Sequence, residues 1–201
     1  MDYATRFLKR RGQPCEITTR TPSVTSKCII APASRSGFRV ADRDNYIDGL
    51  ILADTNLSPG EVVAVSSFIS GYAGQKEILV FGIDPDTVSG QLKFMGAKSN
   101  TPLNWQRQTT SVDENYQVIV TWETVSADIP AFGQVVTAYL RQEDPGLLPT
   151  TRYLFSVPST YGIQQMDRVV FATNVSCQVD SLDNIILDGI VRLQCSDDTR
   201  V

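Results

Sequence analysis

The residues best equipped for chemistry are three acidic pairs, Asp84/Asp86, Asp183/Asp188 and Asp197/Asp198, and four cysteines, Cys15, Cys28, Cys177 and Cys195. Paired carboxylates can hold a hard cation or divide acid and base roles in glycoside hydrolysis. Each pair here lies in or beside a stretch that reads as a turn, where Asp is favoured because its carboxylate accepts local backbone N–H bonds. We read all three as turn residues. The chain contains no histidine, so serine, cysteine and most general-base mechanisms lose the side chain that titrates near neutrality. The cysteines lack C-x-x-C spacing, and without histidine the mixed Cys/His zinc sites are excluded. A four-thiolate site drawn from both ends and buried free thiols both remain as readings. No catalytic residue, metal ligand or cofactor is assigned, and the chain is expected not to be an enzyme.

Neither G-x-x-x-x-G-K-[ST] nor G-x-G-x-x-G occurs, so nucleotide binding has no support. Ser70, Gly71, Tyr72, Gly74 and Lys76 fall in a glycine-containing segment, Ser66 to Lys76, that reads as a loop available for partner contacts. Its shorter counterpart is Ala172 to Ser176. Arg6, Lys9, Arg10 and Arg11 make the one concentrated positive patch, read as a solvated helix face, a docking surface for an acidic neighbour, or a nucleic-acid contact. Trp105, Trp122 and Tyr139 could stack on sugars or bases, but aromatics isolated on strands are expected to be core.

The elements that must carry these residues are mostly strands. A formal net charge of −4 argues against holding nucleic acid by phosphate neutralisation and suits a surface that repels a passing duplex. The chain is 42% hydrophobic, enough for real cores, but nowhere approaches the roughly 18 consecutive apolar residues of a spanning helix. With no leader-like start, it is expected to be made in a cytoplasm, with no membrane association. The first eleven residues predict a short helix that Gly12 and Pro14 terminate. Everything after reads as strand: Cys15–Thr19, Glu61–Val65, Ile78–Phe81, Gln117–Trp122, Gln134–Leu140 and Arg168–Phe171 are short, β-branched or aromatic, and bounded by turn formers.

An internal repeat organises them. Val80-Phe81-Gly82-Ile83-Asp84, then Gly90-Gln91-Leu92-Lys93-Phe94, matches Val179-Asp180-Ser181-Leu182-Asp183, then Gly189-Ile190-Val191-Arg192-Leu193, at a constant offset of 99 without a gap. Upstream, Leu57 to Val63 matches Ile163 to Val169. The fold class expected is therefore all-β with a short N-terminal helix, as two tandem small β-barrel or β-sandwich units over 1–101 and 102–201. If the last hairpin turns near Ile186, Cys177 opposes Cys195 and Val179 opposes Leu193. Cys177, Val179, Val191, Leu193 and Cys195 then share one apolar face, where either two core thiols or a cross-strand disulfide would fit.

The opening Arg6-Phe7-Leu8-Lys9-Arg10-Arg11-Gly12-Gln13-Pro14-Cys15-Glu16-Ile17 resembles the N-terminus of head-closure (stopper) and head-tail connector proteins of tailed bacteriophages. The stretch from Gln165-Met166-Asp167-Arg168 through Val179, Asp183, Gly189-Ile190-Val191-Arg192-Leu193 and Asp197-Asp198-Thr199-Arg200 resembles their closing hairpin. Many stoppers are single-domain and about half this length, so the doubled unit departs from their pattern. The resemblance implies a structural protein of the virion neck, assembled in the host cytoplasm as a homo-oligomeric ring. Its partners would be portal or adaptor and tail proteins, with genomic DNA passing through without sequence-specific binding. It would seal the channel after packaging and join the tail, the loops above converging on the axis. Two alternatives are carried: a tail-terminator or adaptor protein, and an immunoglobulin-like or carbohydrate-binding tail or fibre module. Deleting Met1 to Arg11 is expected to abolish docking and leave the β core folded.

Overall fold

The computed structural model describes residues 3–33, 45–66, 75–86, 90–172 and 175–200. The chain forms two compact units, Met1–Ser99 with Ile185–Ile190, and Asn100–Asn184 with Val191–Val201. Both are β structures, as the spacing of short β-branched runs predicts.

In unit 1 a helix, α1 (Tyr3–Arg11), precedes strands β1 (Gln13–Ile17), β2 (Val24–Pro32), β3 (Tyr46–Leu52), β4 (Val62–Ser66), β5 (Gln75–Asp86) and β6 (Gln91–Lys98). The strands close a barrel in the order β1-β2-β3-β6-β5-β4, which removes free sheet edges. Alternate residues point inward, so Cys15, Ile17, Ile47, Ile51, Val63, Val65, Ile78, Val80 and Phe94 fill one core. Strand β4 is buried on both faces because Val62 joins Leu79 and Ile190 in a second small cluster. There the backbones of Gly60 and Gly189 meet so closely that a Cβ built on Gly60 would stand 2.1 Å from the Gly189 oxygen. Both glycines have φ well into the left-handed region, at 83° and 69°.

Unit 2 holds β7 (Leu103–Val112), β8 (Val118–Ile129), β9 (Phe132–Val135), a short helix α2 (Ala138–Glu143), β10 (Tyr153–Pro158), β11 (Arg168–Phe171), β12 (Val175–Asp183) and β13 (Ile190–Asp197). Its sheet order, β8-β7-β11-β12-β13-β10-β9, repeats that of unit 1 with one change. The strand that in unit 1 runs unbroken as β2, pairing β1 and then β3, is here interrupted at Pro130-Ala131 into β8 and β9. Proline has no N–H to continue a ladder. The core is formed by Leu103, Trp105, Ile129, Phe155, Val157, Val169, Cys177, Val179, Leu193 and Cys195.

The repeat extends to irregularities. The β5–β6 ladder shifts register between Val80 and Gly82, and the β12–β13 ladder shifts between Val179 and Ser181, the matching positions. Before each lies a 3₁₀ turn, Ala53–Thr55 and Ser159–Tyr161, ended by a left-handed residue, Asn56 and Gly162. Next, Glu61 accepts from the Ser58 N–H at 2.8 Å while gripping Arg20, whose NH2 lies 2.7 Å from its Oε2. In the same place Asp167 accepts from the Gln164 N–H at 2.8 Å and from Arg107 Nε at 3.0 Å. Each unit thus pins an irregular turn with one buried or half-buried carboxylate and one arginine, which satisfies backbone groups that no ladder reaches.

Two expectations need correction. Gln134–Leu140 is not one strand: β9 ends at Val135, Thr137 caps α2 by accepting from the Leu140 N–H at 3.2 Å, and Tyr139 and Leu140 become helical. The last hairpin is also paired two residues away from the simple arrangement. Cys177 opposes Asp197, Val179 opposes Cys195, and Leu182 opposes Leu193, because the hairpin turns between Leu187 and Asp188 and not near Ile186; the bulge at Asp180 then offsets the pairs beyond it by one residue. The predicted inward face survives, with Cys177, Val179, Leu193 and Cys195 fully buried.

Candidate functional site

Helix α1 forms because Gly12 ends it: the Gly12 N–H donates to Leu8 O at 2.7 Å, and a Cβ there would stand 2.5 Å from the same oxygen. Leu8 is its buried residue, while Arg6, Lys9, Arg10 and Arg11 are exposed. Lys9, Arg10 and Arg11 occupy the last turn, where cations complement the helix dipole. Lys27 Nζ donates to Lys9 O at 2.6 Å, tying the helix to β2. Deleting Met1 to Arg11 would therefore remove a core side chain, so the segment is not the detachable arm expected from its sequence.

Lys76 lies on β5 and is half-buried. Ser70, Gly71, Tyr72 and Gly74 lie outside the described residues. The fold brings Lys76 together with Arg11 and with Lys98 of β6 on the lining of one cavity of about 710 Å³. Its apolar part comes from Ile29, Ile30, Ala31 and Pro32 of β2 together with the buried Ile47 and Ile78. Among the described residues, three cations line it. In the counterpart segment, Ala172 adopts φ 48° and Val175 and Ser176 open β12, while residues 173–174 lie outside the described residues.

A second surface was not anticipated. Strand β7 pairs with β11 only over Asn104–Gln106, and β8 is the outermost strand of its sheet. Among the described residues, from Arg107↔Glu123 to Val112↔Val118 the two strands pair with each other alone, as a ribbon roughly 20 Å long at the usual rise per residue. Its register places Thr110, Val112, Val118, Val120 and Trp122 on one face. Val112 is 63% exposed and Val118 67%. At the tip, Asp113 Oδ1 accepts from the N–H groups of Asn115 and Gln117, each at 2.8 Å, and holds Tyr116 at φ 60° with 90% of its surface exposed. Alternating Val and Thr with a capped Asp turn was the available sequence signal. Period-2 patterning shows that a strand has two unlike faces, and it leaves open whether the apolar one meets a core.

The aromatics divide. Trp105 is core, its Nε1 donating to Asp167 Oδ2 at 2.7 Å. Trp122 is not core: it lies at the ribbon's base with the Arg168 and Arg200 guanidiniums packed on its ring, 3.9 and 4.7 Å from the centroid. Tyr139 is largely exposed on α2, bonded to Glu143. Behind Trp122, Asp198 receives Arg168 Nε at 2.5 Å and Arg200 Nε at 2.8 Å. Burial alone would push this carboxyl up, but the two guanidiniums and the Arg200 N–H outweigh it and hold it at about 2.

Among the acidic pairs, Asp84 lies within β5, Asp183 ends β12, and Asp197 ends β13, bonded to Arg152. No group of three or more His, Cys, Asp or Glu placed to hold a metal occurs among the described residues. All four cysteines are buried free thiols. Cys28 beside Cys15, and Cys195 beside Cys177, are both pushed up by the neighbouring thiol and by burial, which makes them poor nucleophiles.

No protein-family model matches the chain, and no curated protein matches it significantly. Among solved structures, two of K. pneumonia MrkH, one in its apo state, align over 98% of this chain and 82% of theirs, at 9% and 11% identity, each with a TM-score of 0.22. A third, of MrkH described as a c-di-GMP-dependent transcription regulatory factor, aligns over 98% of this chain and 81% of that one at 9% identity and a TM-score of 0.17. Likenesses at this level carry no argument about this chain.

Proposed function

We propose that this chain is a structural virion protein of the tailed-phage neck, a ring-forming head-tail connector or stopper that seals the DNA channel after packaging and joins the tail. The observation that carries the reading is the β7–β8 ribbon. A two-stranded ribbon with both edges unpaired and an apolar face in water is marginal on its own, and finds its missing contacts on another polypeptide. Assembly supplies that polypeptide. The exposed cations of α1, Arg6, Lys9 and Arg10, offer a second contact, suited to an acidic surface on an adjoining ring. The N-terminal and closing-hairpin resemblance adds the location. With a net charge of −4 the ring would let DNA pass without gripping it.

Immunogold electron microscopy of phage particles, with antibody against the purified chain, tests this. Gold at the head-tail junction is expected. Label on fibres or the tail tip would favour a carbohydrate-binding or immunoglobulin-like module, and particles without label would overturn the virion reading.

A further inference from the structure

The ribbon tip and the unit 1 cavity are complementary in charge and in polarity. The tip presents Asp113 and Glu114 around the exposed ring of Tyr116, backed by Val112 and Val118. The cavity presents Arg11, Lys76 and Lys98 around an apolar wall from β2. Aromatic anchors in apolar pockets ringed by opposite charge are the usual centre of a protein interface. We propose that the β7–β8 tip of one copy docks into the unit 1 cavity of a second copy, Tyr116 against the β2 wall and the two carboxylates facing the three cations. Tip and cavity are different surfaces, so the contact is heterologous and propagates from copy to copy, closing a ring when the rotation per step permits. The docking rests on the ring reading and gives it a specific contact. It also explains why the tip is preorganised: Asp113 fixes the turn before binding, so little ordering remains to be done.

The test uses the full chain with Tyr116 replaced by p-benzoylphenylalanine, irradiated at high concentration as an equal mixture of isotopically light and heavy protein. Mixed-isotope cross-links from position 116 into Ile29–Pro32 or Lys76–Ile78 are expected; cross-links elsewhere, or none between copies, overturn the docking. In sedimentation velocity, Glu114→Lys, which leaves the Asp113 turn cap in place, should weaken self-association at least about tenfold, as should Lys98→Glu, and combining the two should restore it. Circular dichroism confirms that each variant keeps its fold. Failure of the combination to restore association overturns the pairing. A wild type that self-associates while its tip cross-links elsewhere sinks the docking and leaves the ring reading standing. A wild type that stays monomeric sinks the docking too, and the ring reading is then decided by the particle labelling.

Discussion

Asp198 shows how one carboxylate can be both buried and ionised. Its two oxygens are engaged by Arg168 and Arg200, and both guanidiniums pack on the ring of Trp122. Held at about 2, against about 3.9 for an unfolded Asp, its contribution to stability is complete above about pH 4 and is lost as pH falls through about 2. Asp198→Asn should therefore flatten the pH dependence of the unfolding midpoint between about pH 4 and 2, and lower stability at neutral pH by on the order of 2 kcal/mol. An unchanged acid limb in thermal unfolding would show that another group governs it. Gly60 is a second single-residue dependence, because it combines positive φ with a backbone oxygen where a side chain would begin. Gly60→Ala is expected to destabilise by about 2–4 kcal/mol, read from urea unfolding midpoints.

At the scale of elements, α1 combines two roles that one deletion would confuse. Leu8 is 1% exposed and belongs to the fold, whereas the cations point to solvent. Leu8→Ala should cost about 2–5 kcal/mol in unfolding measurements. Arg6→Gln with Lys9→Gln and Arg10→Gln should cost no more than about 1–2 kcal/mol, through the lost helix-dipole contacts, while preventing incorporation into particles, scored by immunoblot of purified virions. The expected strand over Gln134–Leu140 failed for a local reason: the Thr137 cap competes with strand propensity and wins where no neighbouring strand waits to pair. The repeat was readable as Asp and Gly at fixed spacing, and the shared bulge explains why those positions match, since both hairpins bend at the same point.

For the whole molecule, the two units are not simply two lengths of chain. Ile185–Ile190 clusters with residues 1–99, and Ile190 completes the burial of Val62 and Leu79. Residues 1–99 expressed alone should therefore be less stable than the same unit within the full chain, with Ile190→Asp in the full chain reproducing much of the loss. Hydrogen exchange at Val62 and Leu79 reads both. Equal protection in the fragment and the full chain would show that the cluster contributes little.

Much was legible from the residues alone: a mostly-β chain, a short N-terminal helix stopped at Gly12, the repeated strand-and-turn unit, and the inward face shared by Cys177, Val179, Leu193 and Cys195. These follow from local rules, because the alternation of side chains along a strand and the conformations of Gly, Pro and Asp are properties of a few neighbouring residues. Only the tertiary structure decided that Lys76, Arg11 and Lys98 share one cavity, that Arg20 meets Glu61 and Arg107 meets Asp167, and that the Val112–Val118 face has no core to cover it. Each depends on which strands become neighbours and where pairing stops. That choice is made by long-range burial, and in the last hairpin a turn placed between Leu187 and Asp188, not at Ile186, moves every pair along the ladder.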